Sequence, residues 1–347
     1  MQNIQVLSRV AAPLGSRTDT PVKDLTSIRL IYRENGAEIQ NNIRIGCPTR
    51  FDEITVATFG GEARPPEFQW SRQATWKGKA RILAKRVQDT LTQLRRVTQH
   101  AQPIIDLRRH EPNNMAHMLL GVLPICLYAQ QSAGFDVTPL INPLQTPYAD
   151  LIDLFPIQPL ITRQRVSAKI VELYGVRGLA AYELQHTPNC PPLAFLPDIY
   201  EGIRFDTDDP IENIFIARKG IRTLANQEDV ERVLQARGYV TVYMEDYSVK
   251  RQLEIAANAK NVVAIHGAAM ALLVLNPIIN SVIELQPAHA YHQLYPLCLG
   301  RRTKNYSVLL PEYNEAIAHS DWSTISTHKN GPFEVDITSL ERSLSEV

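Results

Sequence analysis

The sequence predicts an α/β protein whose carboxyl-terminal half is built on parallel strands, and three observations carry that expectation. Short β-branched apolar runs alternate with amphipathic stretches of helical period between residues 214 and 285; glycine, asparagine or proline punctuates the joins; and the polar residues gather at the carboxyl ends of the runs. Ile214 to Ala217 reads as the first strand and runs directly into three cations, Arg218, Lys219 and Arg222. Asn226 then reads as the N-cap of a helix with Asp229 in its first turn and Val230, Val233 and Leu234 on its apolar face, closed by Gly238. Tyr239 to Met244 is the next strand, and Ser248 caps a helix with Val249, Leu253 and Ala256 on one side. Val262 to Ile265 and Ser281 to Leu285 complete the strands, with a helix from Ala268 to Leu275 stopped by Asn276 and Pro277.

The stretch from Asn261 to Gln286 has the layout of an anion site. Gly267, Ala268 and Ala269 are small enough for a ligand to approach the backbone, where the unpaired N–H groups and dipole of a helix start favour phosphate. Glu284 closes an apolar strand, an uncomfortable place for a carboxylate unless something there needs it. The competing reading is a packing unit in which the glycine merely turns the chain, since a fingerprint resting on one glycine is weak. Arg218 and Arg222 favour the anion site, because ligands of an open α/β sheet bind at the carboxyl edge of its strands.

Upstream, residues 1–45 hold few apolar clusters and read as an irregular lead-in, with Leu30 to Tyr32 a candidate edge strand. Lys77 to His100 has helical period, its basic face solvated. Pro103 to Leu107 and Pro139 to Asn142 read as strands, Met115 to Gln130 as a helix despite Gly121 and Pro124, Leu151 to Phe155 and Val166 to Leu173 as further helical and strand material, and Pro188 to Pro197 as the join between halves.

Composition narrows the function classes. The 347 residues suffice for two domains, and 36 Lys plus Arg balance 36 Asp plus Glu, which excludes a global basic field for nucleic acid. The four cysteines are far apart, the nine histidines make no ligand pattern, and His110-Glu111 lacks the second histidine of a metalloprotease, so neither a metal nor a disulfide framework is expected. No nucleophile elbow Gly-x-Ser-x-Gly is present.

Taken together, Arg218 and Arg222, Leu224-Ala225-Asn226 with Glu228, Ala259, His266-Gly267-Ala268 and Glu284-Leu285-Gln286-Pro287 form an ordered set that resembles glycosyltransferase family 61. Upstream, Asn113 or Asn114 with His117, followed by Leu119, Leu123 and Pro124, is similar to the family's Asn-x-x-His segment. The likeness covers roughly residues 100–310. Two positions depart from the family pattern: Ala269 stands where a second glycine is usual, and Ala217 where serine is common.

The resemblance implies two Rossmann-like lobes facing a cleft, the GT-B architecture, with an acceptor-side domain over 46–200, a nucleotide-sugar domain over 201–320 and a tail or helix over 321–347. It implies inverting transfer of a sugar from a nucleoside-diphosphate sugar, UDP-linked, to a hydroxyl of a glycan. Departure of the diphosphate needs donors for its developing charge, and Arg218 with the N–H groups after Gly267 (Ala268, Ala269) is assigned that task, helped by Arg222 and His266. Glu284 is expected to accept from ribose hydroxyls, with a buried structural acid as the alternative reading. His117 is the first candidate for the acceptor-side base, with Glu111 and Asp106 as rivals and a core or helix-capping role as the competing reading of His117. No metal or cofactor is then required. The alternatives are a nucleotide-sugar epimerase and a catalytically inactive nucleotide-sugar-binding protein. Eukaryotic members of the family carry a membrane anchor; the amino terminus here has no long apolar core, so the expectation is a cytoplasmic, bacterial-type enzyme or a shortened chain, with peripheral membrane contact and oligomeric state left open.

Overall fold

A computed structural model describes residues 5–10, 27–34, 37–44, 54–63, 97–108, 114–127, 136–174, 200, 202–277, 279–287, 295, 299, 303–311 and 330–346. The expected helix from Lys77 lies outside these residues up to position 96, as does the join from Pro188 to Pro197.

Among the described residues the chain forms two sheets, each of seven strands and mostly parallel. The carboxyl-terminal sheet contains β10 (Asn213–Ile216), β11 (Val240–Val242), β12 (Asn261–Ile265), β13 (Ile279–Leu285) and β14 (Thr303–Leu309), extended by β2 (Ser27–Glu34) and β3 (Ala37–Arg44). Its spatial order is β11-β10-β12-β13-β14-β2-β3, parallel as far as β2 and antiparallel only at the β2–β3 hairpin. Residues 5–10, 27–34 and 37–44 are therefore strands where an irregular lead-in was expected. The segment around Leu30 to Tyr32 is an interior strand, with β3 forming the edge. A strand that gains its partner from a segment almost three hundred residues away carries little local signal of it.

Alternate residues of the parallel strands enter two different cores. Ile214, Ile216, Val262, Ala264, Val282, Tyr306 and Val308 face one side, while Phe215, Ala217, Val263, Ile265, Ile283, Leu285 and Leu309 face the other. On this second side the sheet is covered by α3 (Gln227–Gln235), through Val230 and Leu234, and by α5 (Ile337–Ser345), through Leu340 and Leu344. Asn226 stands at the expected N-cap of α3, but its side chain makes no cap bond. Its amide instead donates to the Val335 carbonyl at 2.8 Å and accepts the Val335 N–H at 3.1 Å, holding the chain that leads into α5.

The first side is covered by α4 (Val249–Asn258), capped as expected by Ser248, and by the expected helix over Ala268–Leu275, which is of 3₁₀ type. Every residue from Met270 to Leu275 is buried, so packing sets the local geometry there. Asn276 ends the helix by donating to the carbonyls of Ala256 and Ala259 at 2.9 and 2.7 Å.

The amino-terminal sheet has the order β1-β4-β9-β6-β7-β8, from Gln5–Val10, Ile54–Ala63, Val166–Tyr174, Ile104–Asp106, Thr138–Ile141 and Leu160–Ile161, with β5 (Thr98–Gln99) also pairing β9. Its strands β9, β6, β7 and β8 are parallel neighbours. The helix over residues 115–127, α1, is α-helical at Met115–His117, widens to a π turn at Met118–Val122 and is α-helical again at 123–127. Within the π turn the Leu123 N–H reaches back to Met118, so the Leu119 carbonyl would look to residue 124, a proline without an N–H. The Tyr200 hydroxyl donates to that carbonyl instead. The start of α1 packs on the 3₁₀ helix 268–275, and one apolar core runs through both, linking the sheets. α2 (Thr146–Asp153) joins it through contact with α4.

Candidate functional site

The polar residues picked out in sequence converge where the carboxyl-terminal sheet changes direction. From β10 the chain proceeds to β11 on one side; from β12 it proceeds to β13 on the other. The connections leave the two neighbouring strands in opposite directions, which makes their carboxyl ends a topological switch point, where open α/β sheets bind ligands. Arg218 lies just beyond β10, and His266 and Gly267 just beyond β12.

Arg218 crosses this point. Its Nη1 donates to the His266 carbonyl at 2.9 Å, and its guanidinium lies directly over Gly267. A Cβ on residue 267 would stand 1.8 Å from Nη1 and 2.7 Å from Cζ. Gly267 has φ 174° and ψ 176°, extended backbone open to any residue, so the glycine is needed for the arginine's approach and not for a special turn. Burial lowers the Arg218 pKa from its ordinary value, with Tyr295 and Glu245 acting in the opposite direction, and a guanidinium keeps its proton under such conditions. The Gly267 carbonyl accepts the Tyr295 hydroxyl at 2.6 Å and the Met270 N–H at 3.0 Å. The first N–H groups of the 3₁₀ helix, from the partly buried Ala268 and Ala269, have no partner within a helix.

Behind the turn lies a buried polar chain. Glu284, paired in register with Ala264, is 0% exposed on the apolar side of β13. His266 Nδ1 lies 2.5 Å from its Oε1, and the Tyr306 hydroxyl donates to its Oε2 at 2.5 Å. The Tyr295 ring meets the imidazole edge-on, with centroids 5.3 Å apart. Glu284 thus has both oxygens engaged within the protein, where sequence placed it facing ribose hydroxyls. The strand end is where the sequence placed it, and the register of β13 turns the side chain into the core.

The neighbouring cations have other partners. Lys219 Nζ bonds both oxygens of Asp246, at 2.5 and 2.6 Å, and lies 5.0 Å from the centroid of the Tyr243 ring; its N–H donates to Glu245. Arg222 has φ 59°, in the left-handed region, and its guanidinium reaches Asn330 Oδ1 at 3.3 Å from both Nε and Nη2.

On the amino-terminal side, His117 is buried in the first turn of α1, whose Ala116 and His117 N–H groups are capped by Asn114 Oδ1 at 2.9 and 3.3 Å. That turn packs on the 3₁₀ helix after Gly267, so the two segments singled out in sequence meet. Asp106, a rival base, is committed elsewhere: Arg108 donates to its two oxygens through Nε at 2.9 Å and Nη2 at 2.7 Å. Arg108 also donates through Nη1 to the Gln164 carbonyl at 2.7 Å, its side chain being fully buried. Glu111 lies outside the described residues. Tyr295 and Tyr306 escaped the sequence reading; Tyr306 alternates with Val308 on β14, but no motif marks it.

A parallel sheet with a cation and a glycine turn at its switch point defines an α/β protein, with that edge as its candidate substrate site. Residues 115–282, just under half of the chain, match the family Glycosyltransferase 61, and the match supports membership of that family and, with it, a transferase acting on a donor and an acceptor. The match takes in His117, Arg218, His266 and Gly267, and stops short of Glu284 and Tyr306. No curated protein matches the chain. Among the described residues no helix is long and apolar enough to cross a membrane.

Proposed function

We propose that the protein transfers a sugar from a UDP-linked donor to a hydroxyl of a glycan acceptor, with inversion and without a metal, between two lobes of GT-B type. The observation that carries the donor site is Arg218 lying on Gly267 at the switch point. A fixed cation there, beside helix-start N–H groups, supplies what a departing diphosphate needs: donors already oriented toward charge as it develops. A lysine would offer a point charge, whereas the guanidinium can hold its backbone carbonyl with one edge and present further N–H groups to phosphate. Arg222, on the same turn, assists. On the acceptor side His117 serves as the base, carried by a turn that packs against the donor-site helix. Asp106 is a structural partner of Arg108 in this scheme.

The test is thermal denaturation with UDP in excess chelator. Wild-type protein is expected to gain stability, since a ligand that binds only the native state raises the transition. Arg218→Ala is expected to lose that gain while keeping its fold. If Arg218→Ala binds UDP as wild type does, the donor site is not at this edge.

A further inference from the structure

We propose that Glu245 accepts hydrogen bonds from the ribose hydroxyls of the donor nucleotide, the 2′-hydroxyl among them; this rests on the donor site proposed above. Chain order places the residue. Of the parallel strands around the switch point, β10 comes first in the chain and β11, the second, lies beside it. Doubly wound sheets that bind nucleotides hold the phosphates at the turn after the first strand, and an acid further along the chain takes the ribose hydroxyls. Here Arg218 follows the first strand, and Glu245 lies in the 3₁₀ turn Met244–Asp246 that follows the second. Glu284, whose two oxygens are taken by His266 and Tyr306, leaves that task to another acid.

The carboxylate is held against the arginine's own turn. Glu245 Oε1 accepts the Lys219 N–H at 3.0 Å, one residue beyond Arg218. The Lys219 ammonium returns across the same gap to both oxygens of Asp246, at 2.5 and 2.6 Å, so the two turns are laced together on either side of Glu245. Met244 is buried and anchors the 3₁₀ turn, which is closed by the Asp246 N–H on the Tyr243 carbonyl at 2.9 Å and the Tyr247 N–H on the Met244 carbonyl at 3.1 Å. Glu245 itself is exposed, and among the described residues its Oε2 accepts from no group of the protein. Burial lowers the Arg218 pKa, and the nearby charge of Glu245, like Tyr295, acts the other way, so carboxylate and guanidinium share one neighbourhood.

Charge decides what such a carboxylate is for. Beside an anion site it repels phosphate, a cost that is recovered only if the same carboxylate gains from another part of the ligand. A ribose presents two neighbouring hydroxyls, neutral donors that suit an ionised acceptor and form the stronger, charge-assisted kind of hydrogen bond. Asp246, next in sequence, is spent on Lys219, and Lys219 is thereby neutralised at the same edge. What remains open there is a division of labour: Arg218 for the diphosphate and Glu245 for the sugar ring attached to it.

Calorimetric titration with UDP, 2′-deoxy-UDP and inorganic pyrophosphate separates this role from a structural one. Wild type is expected to bind UDP about five- to tenfold more tightly than 2′-deoxy-UDP, the effect of one hydroxyl on an exposed carboxylate. Glu245→Ala is expected to bring the two nucleotides within about twofold of each other, by weakening UDP. The same variant should bind pyrophosphate at least as well as wild type, since the repulsion leaves with the carboxylate. Glu245→Gln keeps an acceptor oxygen without the charge, and its preference for UDP should fall between the two. Equal binding of both nucleotides by wild type overturns the proposal, as does a preference that survives in Glu245→Ala. An equal fall for all three ligands in Glu245→Ala assigns the residue to holding the turn and overturns it too. So does a Glu245→Ala protein that loses affinity for UDP-glucose, UDP-galactose or UDP-N-acetylglucosamine but not for UDP, because the carboxylate would then contact the transferred sugar. If Arg218→Ala weakens both nucleotides alike while Glu245→Ala keeps the preference, only this inference is lost; unaltered UDP binding in Arg218→Ala removes the donor site and this inference with it.

Discussion

Gly267→Ala isolates the contact between the arginine and the turn, because the added methyl finds backbone it can tolerate and space it cannot. With φ 174° and ψ 176° the main chain needs no rearrangement to accept alanine. The methyl carbon, however, would stand 1.8 Å from Nη1, 2.7 Å from Cζ and 3.3 Å from Nε of Arg218. Only the guanidinium can give way, being the far end of a flexible side chain. It must leave the turn and lose its bond to the His266 carbonyl, a neutral acceptor bound by a charged donor and worth about 1.5–3 kcal/mol when fully desolvated. Arg218 is only partly buried, so the expected loss of stability is smaller, about 1 kcal/mol. The larger effect falls on the donor. A charge-assisted hydrogen bond to phosphate contributes about 1.5–3 kcal/mol, so UDP affinity should fall by roughly tenfold to a hundredfold. Calorimetric titration of wild type, Gly267→Ala, Arg218→Ala and the double variant makes the test sharp. If both substitutions act by removing the same guanidinium, the double variant binds no more weakly than Arg218→Ala alone. Full additivity, or a Gly267→Ala protein that binds UDP normally, would refute the reasoning.

His117→Ala is expected to lower kcat about a hundredfold with UDP affinity nearly unchanged, measured by initial rates and titration; unchanged turnover removes the base from α1. Asp106→Ala leaves the fully buried Arg108 guanidinium without its carboxylate and is expected to cost about 3–5 kcal/mol in chemical denaturation. In that variant the turnover of the remaining folded protein should match wild type, and a catalytic loss well beyond the folded fraction would return Asp106 to the list of bases.

Much of the carboxyl-terminal half was legible because its strands are short, β-branched and separated by capped helices, so that local periodicity and punctuation agree. Arg218 and His266-Gly267 could be read as one site because strand ends in a parallel sheet converge by topology. What escaped depends on contacts between distant segments. The strands at 27–34 and 303–309 are neighbours in the sheet, yet neither sequence names the other. Glu284 was placed at the right strand end, but its direction follows from register with Ala264 and from the tyrosine at 306, which only the assembled sheet supplies. Gly267 was read as a small residue that lets a ligand approach the backbone, and the arginine lying over it could not be seen in sequence. A glycine in a turn ordinarily signals backbone freedom, and here it makes room for a side chain 49 positions earlier in the chain.

The shared core beneath α1 and the 3₁₀ helix bears on how this enzyme can move. Two-lobed proteins commonly admit substrate by swinging about a slender connection, each lobe keeping its own interior. Here Met118, Leu119 and Leu123 lie in the same apolar cluster as Met270, Leu273 and Val274, so a wide swing would expose packed side chains from both halves at once. Small sliding of α1 over its neighbour is the displacement such a contact permits, and the Tyr200 hydroxyl on the Leu119 carbonyl sits where that sliding would be felt. Heat or denaturant should then meet one cooperative unit, and a cut between the sheets should yield two fragments that each lack an interior wall.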